Sequence, residues 1–287
     1  MIRFPSRFLR PNDRYIDLDR GTLRGFLFFL GFGRSGHSII GQTVNAHPNA
    51  LVADEAAIFD DLGVEPDCNT TMKYLIEKDR SFALRWYHKD LPIQTRTELP
   101  LRWYPRGKGR NYLFVGLHQG MVKLPSVIGT SKAGYTARKI AEDPGMLSRF
   151  EASVSVPLKF VNVVRNPFDM IASGMRRRNS DFESICSGFE LAADRLSAAL
   201  DAVRDYPVFH IRQEDFIRDP KSGIQNLFDF LELPTSKKLK NIVASRLYDS
   251  PQKSRLKVSA LESLENRRRV DALIARHEYF FGYSYES

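Results

Sequence analysis

Residues 25–55, GFLFFLGFGRSGHSIIGQTVNAHPNALVADE, constrain what this chain can fold into more than any other stretch. The run 26–30 is apolar throughout and has the length of a buried strand. It leads into GFGRSGHS, residues 31–38, where Gly31, Gly33 and Gly36 let the backbone turn tightly and come close to a ligand. Residues 39–46 then read as a helix with Ile39, Ile40 and Val44 as apolar positions. Strand, glycine-rich turn and helix, in that order, aim free N–H groups and the positive helix end at an anion.

The spacing is that of a phosphate-binding loop with one change. In the pattern G-x-x-x-x-G-K-[ST], Gly31, Gly36 and Ser38 fall in place and His37 stands where Lys is usual. The nearest fixed cation is Arg34, two residues before Gly36. Its guanidinium is always charged and forks onto two oxygens, so the loop retains the means to hold phosphate or sulfate. The plainer reading is an ordinary glycine-rich turn from strand to helix.

Three segments together resemble the sulfotransferases that use 3′-phosphoadenosine 5′-phosphosulfate (PAPS). RSGHSIIGQTVNAHPN followed by Asp54 and Glu55 resembles their 5′-phosphosulfate loop, in the flavour of the branch that includes tyrosylprotein sulfotransferases. KFVNVVRNPFDMIASGMRRR, residues 159–178, resembles their 3′-phosphate-binding strand, loop and helix, with Arg165 and, eight residues on, Ser173. Residues 209–233, FHIRQEDFIRDPKSGIQNLFDFLEL, are similar to the family's strand, acidic turn and helix near the C-terminus. The segments come in the family's order and span most of the chain.

The resemblance implies roles. Arg34, Ser35, Gly36, His37 and Ser38 would surround the 5′ side of the donor, with His37 replacing the common Thr. Arg165 and Ser173 would hold the 3′-phosphate. Arg177, one helical turn beyond Ser173 on the same face, is the expected third contact. Lys253, Arg255 and Lys257, in the basic stretch SPQKSRLK, are further candidates, although that stretch lacks the family's glycine-rich signature. Glu55 aligns with the acidic residue that acts as base; His118, in GLHQG, competes with it, and Lys132 resembles a lysine that assists sulfuryl transfer. Gln213 stands where the family usually has an aromatic, which puts an adenine contact there in doubt. Asp169 reads as a structural helix-turn residue, because a carboxylate near two phosphates would repel them. The implied product is 3′,5′-adenosine bisphosphate (PAP), with no metal required, and the expected acceptor is the hydroxyl or amine of a small metabolite.

The rest of the sequence fits one α/β domain. At 287 residues the chain can bury a full core. Its net charge of +9 suits an anionic ligand, and no zinc-finger, basic-zipper or RNA-sheet signature accompanies it. Two cysteines, Cys68 and Cys186, form no disulfide framework and fit a reducing compartment. No apolar run approaches the roughly 18 residues of a membrane span, and the start lacks the apolar middle of a signal peptide, so a cytoplasmic location is expected.

Residues 1–24 read as an arm and 25–287 as the domain. Strands are expected at 26–30, 50–53, 112–117, 126–130, 158–164 and 208–211, and helices at 39–46, from 55, 70–87, 133–142, from Pro167, 182–204 and 220–231. The Pro-, Arg- and aromatic-rich stretch 88–111 reads as a loop near the acceptor. Alternating strands and helices predict a three-layer sandwich, a central parallel sheet with helices on both faces and the loop at the C-terminal edge of the first strand. Two other classes compete. A phosphate-loop kinase or nucleotidase with a degenerate loop needs a Lys at 37 and an acidic magnesium ligand, neither clearly present. A non-catalytic anion- or nucleic-acid-binding protein is supported by charge alone.

Overall fold

The computed structural model describes residues 22–88, 114, 116–119 and 124–287. A five-stranded sheet lies at its centre: β1 (Gly25–Gly31), β2 (Ala50–Ala53), β3 (Val127–Thr130), β4 (Leu158–Val164) and β5 (Val208–Arg212). The order is β2-β3-β1-β4-β5 and every pairing is parallel. The chain leaves β1 to one side for β2 and β3, then crosses to the other for β4 and β5. The switch of direction therefore falls at β1, where sheets of this kind bind ligands outside the strands' carboxyl ends.

Eleven α-helices surround the sheet among the described residues. They are α1 (His37–Asn45), α2 (Ile58–Leu62), α3 (Cys68–His88), α4 (Ala133–Glu142), α5 (Met146–Val154), α6 (Pro167–Arg178), α7 (Phe182–Ala202), α8 (Gln213–Arg218), α9 (Pro220–Phe230), α10 (Lys237–Ala244) and α11 (Leu264–Arg276). Every residue of β1 and β4 is buried, as expected of strands covered on both faces. The alternation of β1 divides the core. Phe26, Phe28 and Leu30 point into one cluster with Phe59 of α2, Ile140 of α4, Phe150 of α5 and Leu196 of α7. Leu27 and Phe29 point into the other, with Ile40 and Val44 of α1, Phe228 of α9 and Val243 of α10. Burying each such side chain favours the fold by about 1.5–3 kcal/mol, so the alternation alone fixes which helices lie on which face.

Several boundaries differ from expectation. Helix α1 begins at His37, and Glu55 lies in a turn, α2 starting only at Ile58. Met146, Leu147, Phe150 and Val154, spaced for one helical face, form the unexpected α5. The acidic turn after β5 is itself a helix, α8. Of the strand expected at 112–117, residues 112, 113 and 115 lie outside the described residues, and Gly116 and Leu117 form a turn and bend. The arm, apart from residues 22–24, and the loop expected at 88–111, apart from His88 at the end of α3, also lie outside the described residues.

Candidate active site

Each strand delivers one candidate at its carboxyl end. Arg34 follows β1, Glu55 follows β2, Lys132 follows β3, Arg165 follows β4 and Gln213 follows β5. Parallel pairing places all five along one edge of the sheet.

The loop between β1 and α1 is built from inside. Phe32 is 2% exposed; its ring stacks on Phe189 of α7 at 4.6 Å and on Phe280 at 5.3 Å. The Phe32 carbonyl accepts a hydrogen bond from His37 Nδ1 at 3.0 Å, and Ser35 Oγ lies 3.3 Å from the same nitrogen. A carbonyl only accepts, so this contact assigns the proton of a neutral ring to Nδ1. Burial holds the His37 pKa below its usual value, with the Glu55 charge opposing the shift. The imidazole is thus turned back onto the loop, where it closes the five-residue turn.

Gly36 caps α1 with φ 94°, and a Cβ there would meet Gln213 Cγ at 2.9 Å. Gly31 has φ 134°, and a Cβ there would lie 2.4 Å from the Val163 carbonyl oxygen. Both positions demand glycine. Ser35 is buried, Ser38 is half-buried, and the first turn of α1 has no acidic residue to compete with an anion at the helix end.

Five non-glycine residues among those described have positive φ: Arg34 (74°), Glu55 (56°), Ser155, Asn179 and Glu232. The last three end or follow helices, where this conformation is common. Arg34 and Glu55 have no such explanation, and strained backbone of this kind gathers at functional sites.

The guanidinium groups converge. Arg34 Nε donates to Ser173 Oγ at 2.9 Å. Arg165, 7% exposed, donates from Nη1 to the Arg34 carbonyl at 3.4 Å and from Nη2 to the Gln252 carbonyl and Ser254 Oγ, at 2.5 and 3.3 Å. Its Nε is buried without a partner. Burial lowers the Arg165 pKa, and the carboxylates of Asp169 and Glu214 oppose that shift. Glu214 also accepts the Asn166 N–H at 2.8 Å, fixing the turn after Arg165. Arg177 is exposed one turn beyond Ser173.

Asp169 and Arg255, missed as a pair, hold this region together. Arg255 donates its N–H to Asp169 Oδ1 at 2.9 Å and Nη1 to Oδ2 at 2.6 Å, with the two side chains 1% and 4% exposed. The pair clasps residues 252–254 over Arg165. Arg255 also donates from Nη2 to the Ser287 carbonyl, and its Nε is buried without a partner. Lys253 and Lys257 are exposed on the clasped segment, and Lys253 Nζ donates to the Glu286 carbonyl at 3.2 Å.

On the β2 and β3 side, Thr130 Oγ1 donates to the Ala56 carbonyl and Ser131 Oγ to Asp54, at 2.9 and 2.7 Å. These bonds lock the turn carrying Glu55 to the one carrying Lys132. His118 lies elsewhere: its N–H donates to the Ala46 carbonyl, at the far end of α1. A nine-residue helix, about 13 Å long at 1.5 Å per residue, separates it from the loop.

The family model described as "Sulfotransferase domain" matches residues 27–276. The chain belongs to the sulfotransferase family. Among solved structures, it is similar to the sulfotransferase STF9 from Mycobacterium avium, at 14% identity and a TM-score of 0.50, over 92% of this chain and 79% of that one. It is also similar to the sulfotransferase domain of the Synechococcus PCC 7002 olefin synthase, at 17% identity and a TM-score of 0.44, over 87% and 94%. A third similar structure is the sulfotransferase domain from the curacin biosynthetic pathway, at 16% identity and a TM-score of 0.48, over 89% and 99%. The first of these likenesses supports the sulfotransferase fold. No curated protein sequence gives a significant match.

The sulfotransferase edge described above suits a ligand with two anionic ends. It offers an unpartnered buried N–H on Arg165, an exposed Arg34, the free N–H groups of α1 and open space at Gly33, where a Cβ would meet nothing within 4 Å.

Proposed function

We propose that the protein transfers a sulfuryl group from PAPS to a hydroxyl or amine of a small-molecule acceptor, releasing PAP. The observation that carries this reading is the contact of Arg34 with Ser173 and Arg165 at the switch point of the sheet. One side chain thereby spans the distance between a phosphosulfate loop and a 3′-phosphate grip.

When bound, PAPS supplies an activated sulfuryl group on a phosphate leaving group. Arg34 and the N–H groups of Gly36, His37 and Ser38 hold the 5′-phosphosulfate and stabilise charge on the departing phosphate oxygen, while the Ser35 N–H donates to the Phe32 carbonyl and shapes the loop. Arg165, Ser173 and Arg177 hold the 3′-phosphate, with Lys253 and Lys257 at its outer side. Lys132 supports the transferring group. Glu55 takes the proton of the acceptor as the acceptor oxygen or nitrogen bonds to sulfur and the S–O bond to the phosphate breaks. His118, a helix length away, is left out of the chemistry. Gln213 Oε1, buried without a partner beside Gly36, is the candidate polar contact for the adenine. The family match supports sulfuryl transfer, and the buried thiols of Cys68 and Cys186 support a reducing, cytoplasmic setting. Among the described residues no helix is long and apolar enough to cross a membrane.

Incubation with radiolabelled donor and a panel of phenols, alcohols and amines tests the reading, alongside calorimetry with PAP. Arg34→Ala is expected to lower the transfer rate by about two to three orders of magnitude, the cost typical of removing one oxyanion donor. A near-normal rate would remove Arg34 from the chemistry, and ATP turnover dependent on magnesium would replace the reading with a kinase.

A further inference from the structure

Lys132 follows β3 at the candidate edge. Two carboxylates of α2 are already paired with other lysines. Asp60 binds Lys139 at 2.6 Å, and Asp61 binds Lys78 at 2.9 Å and the Tyr74 hydroxyl at 2.6 Å. Among the described residues no carboxylate forms an ion pair with Lys132. Its Nζ lies over the ring of Tyr135, in the first turn of α4, 5.1 Å from the centroid, and Arg138 and Lys139 lie farther out over the same ring, at 5.6 and 5.9 Å. The same ring packs against Phe59 at 6.5 Å, and its hydroxyl accepts the Asp60 N–H at 2.8 Å. Burial pushes that hydroxyl up to about 12, so it stays a neutral phenol.

An aromatic face holds a cation without neutralising it. A carboxylate in the same place would spend the charge that an anionic group requires. A lysine's four-carbon stem is otherwise free to wander. The ring limits it, and the hydroxyl fixes the ring to the segment that follows Glu55.

We propose that Tyr135 is a positioning residue, which holds the Lys132 ammonium aimed at the transferring sulfuryl group. This role rests on the reading of Lys132 given above.

Calorimetry of PAPS and of PAP with the full chain tests it. PAPS carries the sulfuryl group and PAP does not, so the ratio of their affinities reports on Lys132. Tyr135→Leu is expected to weaken PAPS about three- to fivefold, the scale of an exposed cation–π contact, and to leave PAP unchanged. Tyr135→Phe keeps the face and is expected to stay close to the parent. In a Lys132→Ala background, Tyr135→Leu adds nothing. A merely structural tyrosine would weaken both nucleotides, or act equally in both backgrounds, and either result overturns the proposal. Binding of neither nucleotide by the unaltered protein would instead sink the donor assignment, and the positioning role with it. In the unaltered protein the Lys132 ε-methylene protons are expected to show an upfield ring-current shift, retained when PAPS binds. Its absence overturns the proposal even if Tyr135→Leu fails to fold.

Discussion

Arg34 sits in left-handed backbone at φ 74°, a conformation that costs a non-glycine residue roughly 1–3 kcal/mol. The same geometry delivers its Nε to Ser173 and its carbonyl oxygen to Arg165. Strain and contacts therefore pull apart under substitution. Arg34→Gly is expected to be more stable than Arg34→Ala by about 1 kcal/mol, because glycine adopts positive φ at no steric cost, and both are expected to be equally inactive. Urea unfolding of the two variants, read beside a transfer assay, checks this. Equal stability would mean that the loop relaxes to ordinary backbone once the guanidinium is gone. The residue type was legible from the loop spacing. The strain was not, because it arises from the fit of the loop between α1, held by the His37 contact to Phe32, and the aromatic platform of Phe189 and Phe280.

The helices that flank the loop were legible where a local signal marks them. Pro167 opens α6, and Asn166 caps it by accepting the Phe168 N–H at 3.0 Å. What holds α6 to the segment around residue 255 was not legible, since Asp169 and Arg255 are 86 residues apart and neither has a local partner to announce the pair. Removing one member of a buried pair leaves the other charge uncompensated, at a cost of about 3–5 kcal/mol. Asp169→Ala is expected to show a loss of that size in denaturant unfolding. Asp169→Ala combined with Arg255→Met is expected to recover most of it, since replacing both partners by apolar groups is often neutral. Because the clasp carries Gln252 and Ser254 onto Arg165, Asp169→Ala is also expected to weaken PAP under conditions where the protein remains folded. Loss of stability with PAP affinity intact would separate the clasp from the phosphate grip.

Across the whole molecule, the sheet was read from apolar runs and the faces from the alternation of β1, but the distribution of buried polar groups depends on tertiary contacts that no window of sequence contains. The histidines show this. His37 beside the loop, His47 at the end of α1, His210 on β5 and His277 after α11 lie in four different parts of the fold. Burial is the largest cause in each, and all four have pKa values lowered from 6.5. The unfolded chain therefore takes up protons at a higher pH than the folded one. Their joint contribution to stability is complete above about pH 6.5 and is lost as the pH falls from there through the lower folded values. Carboxylates with lowered values, such as Asp181 and Asp219, act in a separate window, below their usual 3.8. Between pH 6.5 and 5 the histidines should thus govern the trend, and the urea midpoint is expected to fall steadily across that interval. His37→Gln keeps an N–H donor for the Phe32 carbonyl without the titrating ring, so its midpoint should fall less steeply over the same interval. A parent midpoint that is flat or rises on acidification would mean that these rings are hydrated in solution and do not titrate as buried groups.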